Sequence, residues 1–329
     1  MSSDPSRTSA QACHFQELGV QNRNGPDLTP GKEQPSRLAA IREGPPINAV
    51  EHIRRNRGGS QSHLLKCSDG KYYVVKFPNN PQGKRTLVNE MLCGFLATKL
   101  ALPVPSSVVV QVDQDLIQRS EQMFLDLPDG RARLQAGACF GSEHPGPDKD
   151  IYDSWPERRL DEISNLADFA GMLVFDIWTS NNDFRQVLFF RRDDKSQHRV
   201  AMVDNGFCFR ATEWAFKDKP RLAMYPLTYV YKSISRIESF EPWLTKLESE
   251  MNRATIAEAL ARVPKEWYRR ELTPLKKLLA QLEKRRAEVR HQILSLVATS
   301  WRLFPNWSEA HSTMHSSADR RAVAASTSG

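Results

Sequence analysis

Trp178-Thr179-Ser180-Asn181-Asn182-Asp183-Phe184-Arg185-Gln186, with Met202-Val203-Asp204-Asn205-Gly206 downstream of it, is the stretch on which the reading of this chain turns. Between the two quoted segments, Val187 to Arg191 and Arg199 to Val203 read as strands joined by a turn around Asp193-Asp194-Lys195, which predicts an antiparallel hairpin. Pairing sets the start of the first strand beside the end of the second, about 5 Å away, so Asp183 and Asp204 converge. Two carboxylates brought that close repel each other, and a cation with a phosphate would relieve the repulsion. Asn181, Asn182, Arg185 and Gln186 crowd the same loop. Asn, Asp and Gly also serve turns well, so a plain pair of turns is the competing reading of these residues taken alone.

Upstream, strand-like runs cover Ile47 to Ile53, Ser62 to Cys67 and Tyr72 to Phe77, with Gly58-Gly59-Ser60 between the first two and Ser68-Asp69-Gly70 between the second and third. A glycine turn lets backbone N–H groups approach an anion, and it is equally an ordinary turn. Lys76, at the end of an apolar strand, either snorkels to water or finds a buried partner. A helix from about Thr86 to Leu100 carries Leu87, Met91, Phe95 and Leu96 on one stripe, with Glu90 at its edge as the candidate partner. Pro103 and Pro105 stop it before the strand Val108-Val109-Val110. From about residue 155 the pattern turns helical: Leu166 to Trp178 apolar nearly all round, Phe240 to Glu250, Thr255 to Ala261, and one long helix from Pro274 to Val297. Lys276, Lys277, Lys284, Arg285, Arg286 and Arg290 give that last helix a basic face, which reads as solvated or as a surface for an anionic partner.

The chain has 329 residues, 40% hydrophobic and 26% charged, with a formal net charge of +7. That is about two domains of roughly 150 residues each and enough apolar content for a sizeable core. No apolar run reaches the roughly 18 residues of a membrane span, and the start Met1-Ser2-Ser3-Asp4-Pro5 lacks the features of a signal peptide, so a cytoplasmic location is expected. Cys13, Cys67, Cys93, Cys139 and Cys208 form no C-x-x-C pair, and His311 and His315 have no third ligand near them, which argues against a disulfide framework or a zinc site. Neither G-x-x-x-x-G-K-[ST] nor G-x-G-x-x-G occurs, which argues against a P-loop NTPase and a typical dinucleotide-binding fold. The expected fold class is α+β: a flexible leader over 1–45, a sheet-rich N-lobe over 46–150, a helical C-lobe with the hairpin over 151–307, and a disordered tail over 308–329.

The order of groups is informative: glycine turn, strand Lys, helix Glu, loop Asp, hairpin, second Asp followed by Gly. It is the order of a kinase. At these residues the chain resembles the bacterial HipA-like kinases, through Gly58-Gly59-Ser60-Gln61-Ser62-His63-Leu64-Leu65, Val75-Lys76-Phe77, Val88-Asn89-Glu90, Asp176-Ile177-Trp178-x-x-Asn181-x-Asp183-x-Arg185-Gln186 and Asp204-x-Gly206-x-Cys208-Phe209. The resemblance covers about 47 to 307 and implies a two-lobed, protein-kinase-like fold, distantly related to phosphatidylinositol kinases, with ATP between the lobes. It further implies that Gly58, Gly59 and Ser60 lie on the nucleotide, that Lys76 contacts its phosphates and that Glu90 anchors Lys76. Asp183 would be the catalytic Asp, with Arg185 beside it, and Asp204 would ligate magnesium. Where kinase loops carry an Asn as second metal ligand, about five residues after the catalytic Asp, this chain has Leu188; Gln186, Asn181 or Asn182 would substitute. The short leader is not expected to supply the extra N-terminal region that HipA carries for its partner, so the resemblance does not carry over a toxin role.

Three functions follow. The first is ATP- and Mg2+-dependent transfer of the γ-phosphate to a hydroxyl acceptor, either a protein Ser/Thr or a small molecule, with no membrane partner and no direct nucleic-acid ligand expected. The second is a nucleotide-binding pseudokinase with a regulatory role, to which Leu188 points. The third is a basic nucleic-acid- or partner-binding protein, resting on the charged face of the last helix.

Overall fold

The computed structural model describes residues 46–308, apart from 147–149, 192, 194 and 218. The leader over 1–45, all of the 308–329 tail except Ser308, and with them Cys13, His311 and His315, lie outside the described residues. The N-terminal half is built on β1 (Ile47–Arg55), β2 (His63–Cys67), β3 (Tyr72–Lys76), α1 (Arg85–Lys99), β4 (Ser107–Val112), α2 (Gln114–Arg119), β5 (Phe124–Leu127), β6 (Gly130–Arg133) and β7 (Gly137–His144). Five of the strands close into a barrel in the order β1-β2-β3-β7-β4, sealed by a parallel contact between β1 and β4. Gly70, at φ +81°, makes the β2–β3 turn, and Asp69 braces it by accepting from the Lys71 N–H (3.1 Å) and the Tyr73 hydroxyl (2.7 Å). Leu65, Tyr73, Val75, Val110 and Cys139 fill the barrel together with Ile117 of α2.

The sequence patterns reach β1 to β4 but not β5 to β7, and β7 is the strand between β3 and β4. Its residues Gly-Ala-Cys-Phe-Gly-Ser-Glu-His lack the β-branched signature of a strand. The reason is packing, because a Cβ on Gly141 would stand 2.6 Å from Val110 Cγ2 and 3.2 Å from Val108 Cγ2 on the neighbouring strand. Helix α1 departs from a one-faced amphipathic helix for a similar reason. Eleven of its fifteen residues are buried, and its apolar side chains join the second core, shared with the helices of the C-terminal half.

That half contains β8 (Ile151–Tyr152), α3 (Asp168–Thr179), β9 (Gln186–Phe190), β10 (Arg199–Val203), α4 (Glu241–Glu250), α5 (Arg253–Ala261), α6 (Lys265–Tyr268), α7 (Leu272–Arg285) and α8 (Val289–Ser300). Strands β9 and β10 form the expected hairpin, with Val203 opposite Gln186, and β8 extends it to three strands. Helix α3 is buried from Phe169 to Thr179, as its all-round apolar sequence requires.

The expected single helix from Pro274 to Val297 is instead two, α7 and α8, separated between Arg285 and Val289. The break turns Arg285 inward, where its guanidinium donates to the carbonyls of Trp178 (3.2 Å) and Ile177 (3.1 Å), while Trp178 Nε1 donates to the Leu282 carbonyl (2.9 Å). The expected basic face is correspondingly reduced: Arg285 is buried, and Arg290 is ion-paired to Glu241 and Glu248. Among the described residues no helix is long and apolar enough to cross a membrane.

One polar chain crosses the barrel wall. His52 Nε2 lies 3.0 Å from His63 Nδ1, and Ser120 Oγ lies 3.0 Å from His52 Nδ1. His63 is fully buried and its Nε2 has no hydrogen-bond partner among the described residues; burial first, then the charges of His52 and Arg55, push its pKa down to about 3. The folded protein therefore keeps His63 neutral where the unfolded chain, with an ordinary value of 6.5, takes up a proton. Stability from this group is complete above 6.5 and is lost as pH falls toward about 3. Thermal unfolding scanned over that window should show His63→Leu losing less stability per pH unit than the parent; parallel curves would remove His63 as the cause.

Candidate active site

A cavity of about 410 Å³ opens where the barrel faces the β9–β10 hairpin. The barrel supplies Gly58, Gly59, Ser60 and Lys76, helix α1 supplies Glu90, and the hairpin ends supply Asp183, Gln186 and Asp204. Eight of the nine residues singled out in the sequence thus line one cavity, and the ninth, Arg185, does not.

The glycine turn joins β1 to β2. Gly58 sits at φ +120°, and a Cβ on Gly59 would meet Gln82 Nε2 at 2.8 Å. The loop is fastened at its base by the Asn56 N–H to the Ser62 carbonyl (2.9 Å) and from outside by Arg55, which donates to Gln61 Oε1 (2.5 Å) and Asp126 Oδ2 (2.6 Å).

Lys76 does not snorkel. It is buried, with Nζ 2.5 Å from Glu90 Oε1 and 2.9 Å from Asp204 Oδ1. Burial alone would lower its pKa, but the two carboxylates overcome that and hold it above the ordinary value, so it stays charged. Burial pushes Glu90 up, against the pull of Lys76; Asp204 is also raised by burial but is held below its ordinary value by Lys76. The second oxygen of Glu90 accepts from the Asn205 N–H (2.9 Å). Asp204 itself adopts a left-handed backbone at φ +57°, and at Gly206 a Cβ would press on Glu90 Oε1 at 3.3 Å and Thr86 Cβ at 3.4 Å. Asn89, one residue before Glu90, is buried with Nδ2 facing the carbonyls of Gly206 (2.8 Å), Cys208 (3.0 Å) and Ala211 (2.9 Å). Helix α1 thereby grips the chain on both sides of Gly206.

Arg185, expected among the catalytic groups, does not line the cavity. Only 1% of its side chain is exposed, and its guanidinium is committed to Asp176 in a bidentate ion pair, with Nε 2.7 Å from Oδ2, and to the Val203 carbonyl (2.8 Å) and Asn205 Oδ1 (3.1 Å). The guanidinium enclosed in this way joins the two hairpin ends from behind. Asp176 in turn accepts from Asn181 through both its backbone carbonyl (2.9 Å) and its Oδ1 (3.1 Å), and Asn181 Oδ1 accepts from the Asp183 N–H (3.2 Å). Burial raises the Asp176 pKa, and the Arg185 guanidinium offsets this. Asp183 Oδ1 accepts from the Phe184 N–H (2.9 Å), and Gln186 Nε2 lies 3.3 Å from its Oδ2.

Asp176 and Asn205 are the residues that sequence reasoning left without a role. The signal for Asp176 was present: a carboxylate inside the apolar run from Leu173 to Trp178 needs a buried partner. For Asn205 nothing but its place beside Asp204 distinguished it.

Leu188 is half-buried and lines the cavity, so the usual second metal-ligand position carries hydrocarbon. Of the three substitutes, only Gln186 lines the cavity; Asn181 is spent on Asp176 and Asp183, and Asn182 is not among the lining residues, whereas Asn205, which was not one of the three, is. The residues present fit a hard divalent cation. Glu90 and Asp204 against Lys76 leave an excess negative charge in a buried place, and Asp204, Asp183 and Gln186 are hard oxygen donors. Among the described residues no three His, Cys, Asp or Glu side chains form a metal cage, and magnesium bound with phosphates needs only one or two carboxylates beside its waters.

The family model described as HipA-like kinase matches residues 49–293, well over half of the chain. No curated protein matches it. Solved structures similar to the chain include the Golgi casein kinase with Mn/ADP bound, at 14% identity over 76% of this chain and 72% of that one with a TM-score of 0.46. Hydra Fam20 with sugar matches at 12% identity over 78% and 86%, TM-score 0.47. The Helicobacter pylori proinflammatory kinase CtkA matches at 12% over 75% and 97%, TM-score 0.47.

Removing one member of a buried ion pair strands the other, at a cost of about 3–5 kcal/mol. Arg185→Met should therefore lower the unfolding free energy by that amount in denaturant titration, and Arg185→Met with Asp176→Leu should recover a large part of it. A double variant no more stable than the single one would mean the pair is not the source of the loss.

Proposed function

Since the chain belongs to the HipA-like kinase family, we propose that it is an ATP- and magnesium-dependent phosphotransferase acting on a hydroxyl acceptor. The fold is read as protein-kinase-like and two-lobed, with the barrel and α1 as the N-lobe over 46–150, the helices and hairpin as the C-lobe over 151–307, and the nucleotide in the cavity between them. The observation that carries the reading is Lys76 held between Glu90 and Asp204 in the cavity that Asp183 also lines. Phosphoryl transfer asks for that set: a cation on the phosphates, an anchor for it, a metal-binding carboxylate and a group for the acceptor proton.

Lys76 would contact the nucleotide phosphates while Glu90 fixes its ammonium, and the N–H groups around Gly58, Gly59 and Ser60 would cover the phosphates from the barrel side. Magnesium held by Asp204 with Gln186 would neutralise the charge shared by the phosphates. Asp183 would orient the acceptor hydroxyl and take its proton as the oxygen bonds to the γ-phosphorus and the bond to the β-phosphate oxygen breaks, releasing ADP. Arg185 and Asp176 would act only through others, by fixing Asp183 relative to Asp204.

A nucleotide-binding pseudokinase is the second reading, favoured by Leu188 in the cavity wall. The nucleic-acid reading rests on a smaller face than expected, since Arg285 is buried and Arg290 ion-paired, leaving Lys276, Lys277 and Lys284 exposed on α7.

Purified protein should be thermally stabilised by ATP more strongly with magnesium than without. Asp204→Asn should lose the magnesium-dependent part. Asp183→Asn should keep it while phosphoryl transfer from labelled ATP falls by about 10²–10⁴-fold, the usual contribution of a general base. Wild-type turnover in Asp183→Asn would end the assignment of that residue. Normal MgATP stabilisation with no transfer or hydrolysis by the parent would establish the pseudokinase.

A further inference from the structure

Resting on the phosphotransferase reading, we infer that the acceptor is an extended protein segment whose Ser or Thr is flanked by a bulky apolar side chain and by Asp or Glu residues. The segment from Phe207 to Leu227 is fastened to the Asp183 loop at three places. The Asn182 N–H reaches the Phe207 carbonyl (3.4 Å), Ser180 Oγ bonds both the N–H (3.2 Å) and the carbonyl (2.9 Å) of Lys217, and the Arg185 N–H donates to the Met224 carbonyl (3.2 Å). Loop and segment thus present one surface beside the group that would receive the acceptor's proton.

Two features of that surface have no structural use within the chain. Among the described residues six large hydrophobic side chains are exposed, and two of them are here: Phe184 at 49%, adjacent to Asp183, and Leu227 at 37%, three residues past the Met224 carbonyl. Phe184 points to water because its neighbour Arg185 is drawn into the interior by Asp176. The second feature is charge. Between Phe207 and Arg236 the sequence has six basic residues against Glu213 and Asp218. Arg210 and Lys217 share Glu213, and Lys232 meets Glu157, but Lys219 and Arg221 are exposed and have no acidic partner among the described residues.

Two exposed apolar side chains and two cations without an acidic partner among the described residues, all carried by the joined loop and segment, suit an acidic peptide with one large hydrophobic residue. RNA would also feel the cations. Its affinity, however, comes from many phosphate contacts, and here only Lys219 and Arg221 are without an acidic partner among the described residues, with Phe184 as a lone exposed ring. A small acceptor would sit inside the cavity and make no use of a hydrophobic patch outside it.

The test is fluorescence anisotropy of the full chain with two labelled peptides, one placing Ser between Leu and a run of Glu, the other carrying Lys in place of Glu. The acidic peptide should bind about tenfold tighter or more, a difference near 1.4 kcal/mol. Adding salt should shrink the preference. Lys219→Glu with Arg221→Glu should abolish it while leaving MgATP thermal stabilisation at the parent value, and Phe184→Ala should weaken both peptides. Equal affinities, no binding of either peptide, or tighter binding of an oligouridine of similar length would each overturn the proposal. The nucleotide control separates the two failures: a parent that MgATP does not stabilise sinks the phosphotransferase reading, whereas normal stabilisation without peptide discrimination sinks only this inference.

Discussion

The ion pair between Arg185 and Asp176 is the constraint on which the rest of the site depends. Both side chains are out of water, on elements that differ in kind: Asp176 belongs to α3, and Arg185 to the loop that leads into β9. Hydrogen bonds radiate from the pair to the Val203 carbonyl, Asn205 and Asn181, and through these to Glu90 and the Asp183 N–H. A chain of bonds therefore runs from α1, against the barrel, to the loop beside α3. Desolvating two charges contributes little net stability compared with a well-packed apolar pair. What such a pair supplies is geometry, because its bidentate fork allows few arrangements.

Within that frame the cavity is electrostatically incomplete. One ammonium faces two carboxylates, and the next cation, Arg185, acts on Asp204 only from behind, already paired with Asp176. Such a cluster holds its shape but keeps an appetite for positive charge, and a chelated nucleotide brings both the missing cation and phosphates for Lys76 to bind. Asp204's left-handed backbone and the crowding at Gly206 show how the chain is bent to hold this cluster together.

Much of the arrangement was legible in the sequence, and the parts that were not share a cause. The hairpin register followed from strand alternation and turn residues, and it brought Asp183 and Asp204 to one cavity. Glu90 could be named as the candidate partner of Lys76 because an apolar helix stripe had to meet the sheet, but whether Lys76 turns to it or snorkels to water depends on burial that only the packed structure sets. Strand β7 was not readable: its glycines answer to Val108 and Val110 on another strand, a tertiary demand that erases local propensity. The gap between α7 and α8 was hidden for the same reason, since no Pro or Gly marks it and what accompanies it is a tertiary contact, Arg285 to the end of α3. Arg185 was assigned by its neighbours in sequence, whereas its position is decided by Asp176, whose charge stands out in a run of apolar residues.

Arg285 also changes the electrical character of α3. A helix of twelve residues ends in carbonyls that act as roughly half a negative charge, and α3 directs that end toward the loop bearing Asp183. Left bare, this macrodipole would add to the negative potential of a site already rich in carboxylates. Arg285 covers the Ile177 and Trp178 carbonyls, and its guanidinium also lies over the Phe216 ring at 4.7 Å. The last two helices thus act as a counter-electrode for the loop, and a chain cut short before Arg285 would present an unshielded negative helix terminus to any incoming polyphosphate.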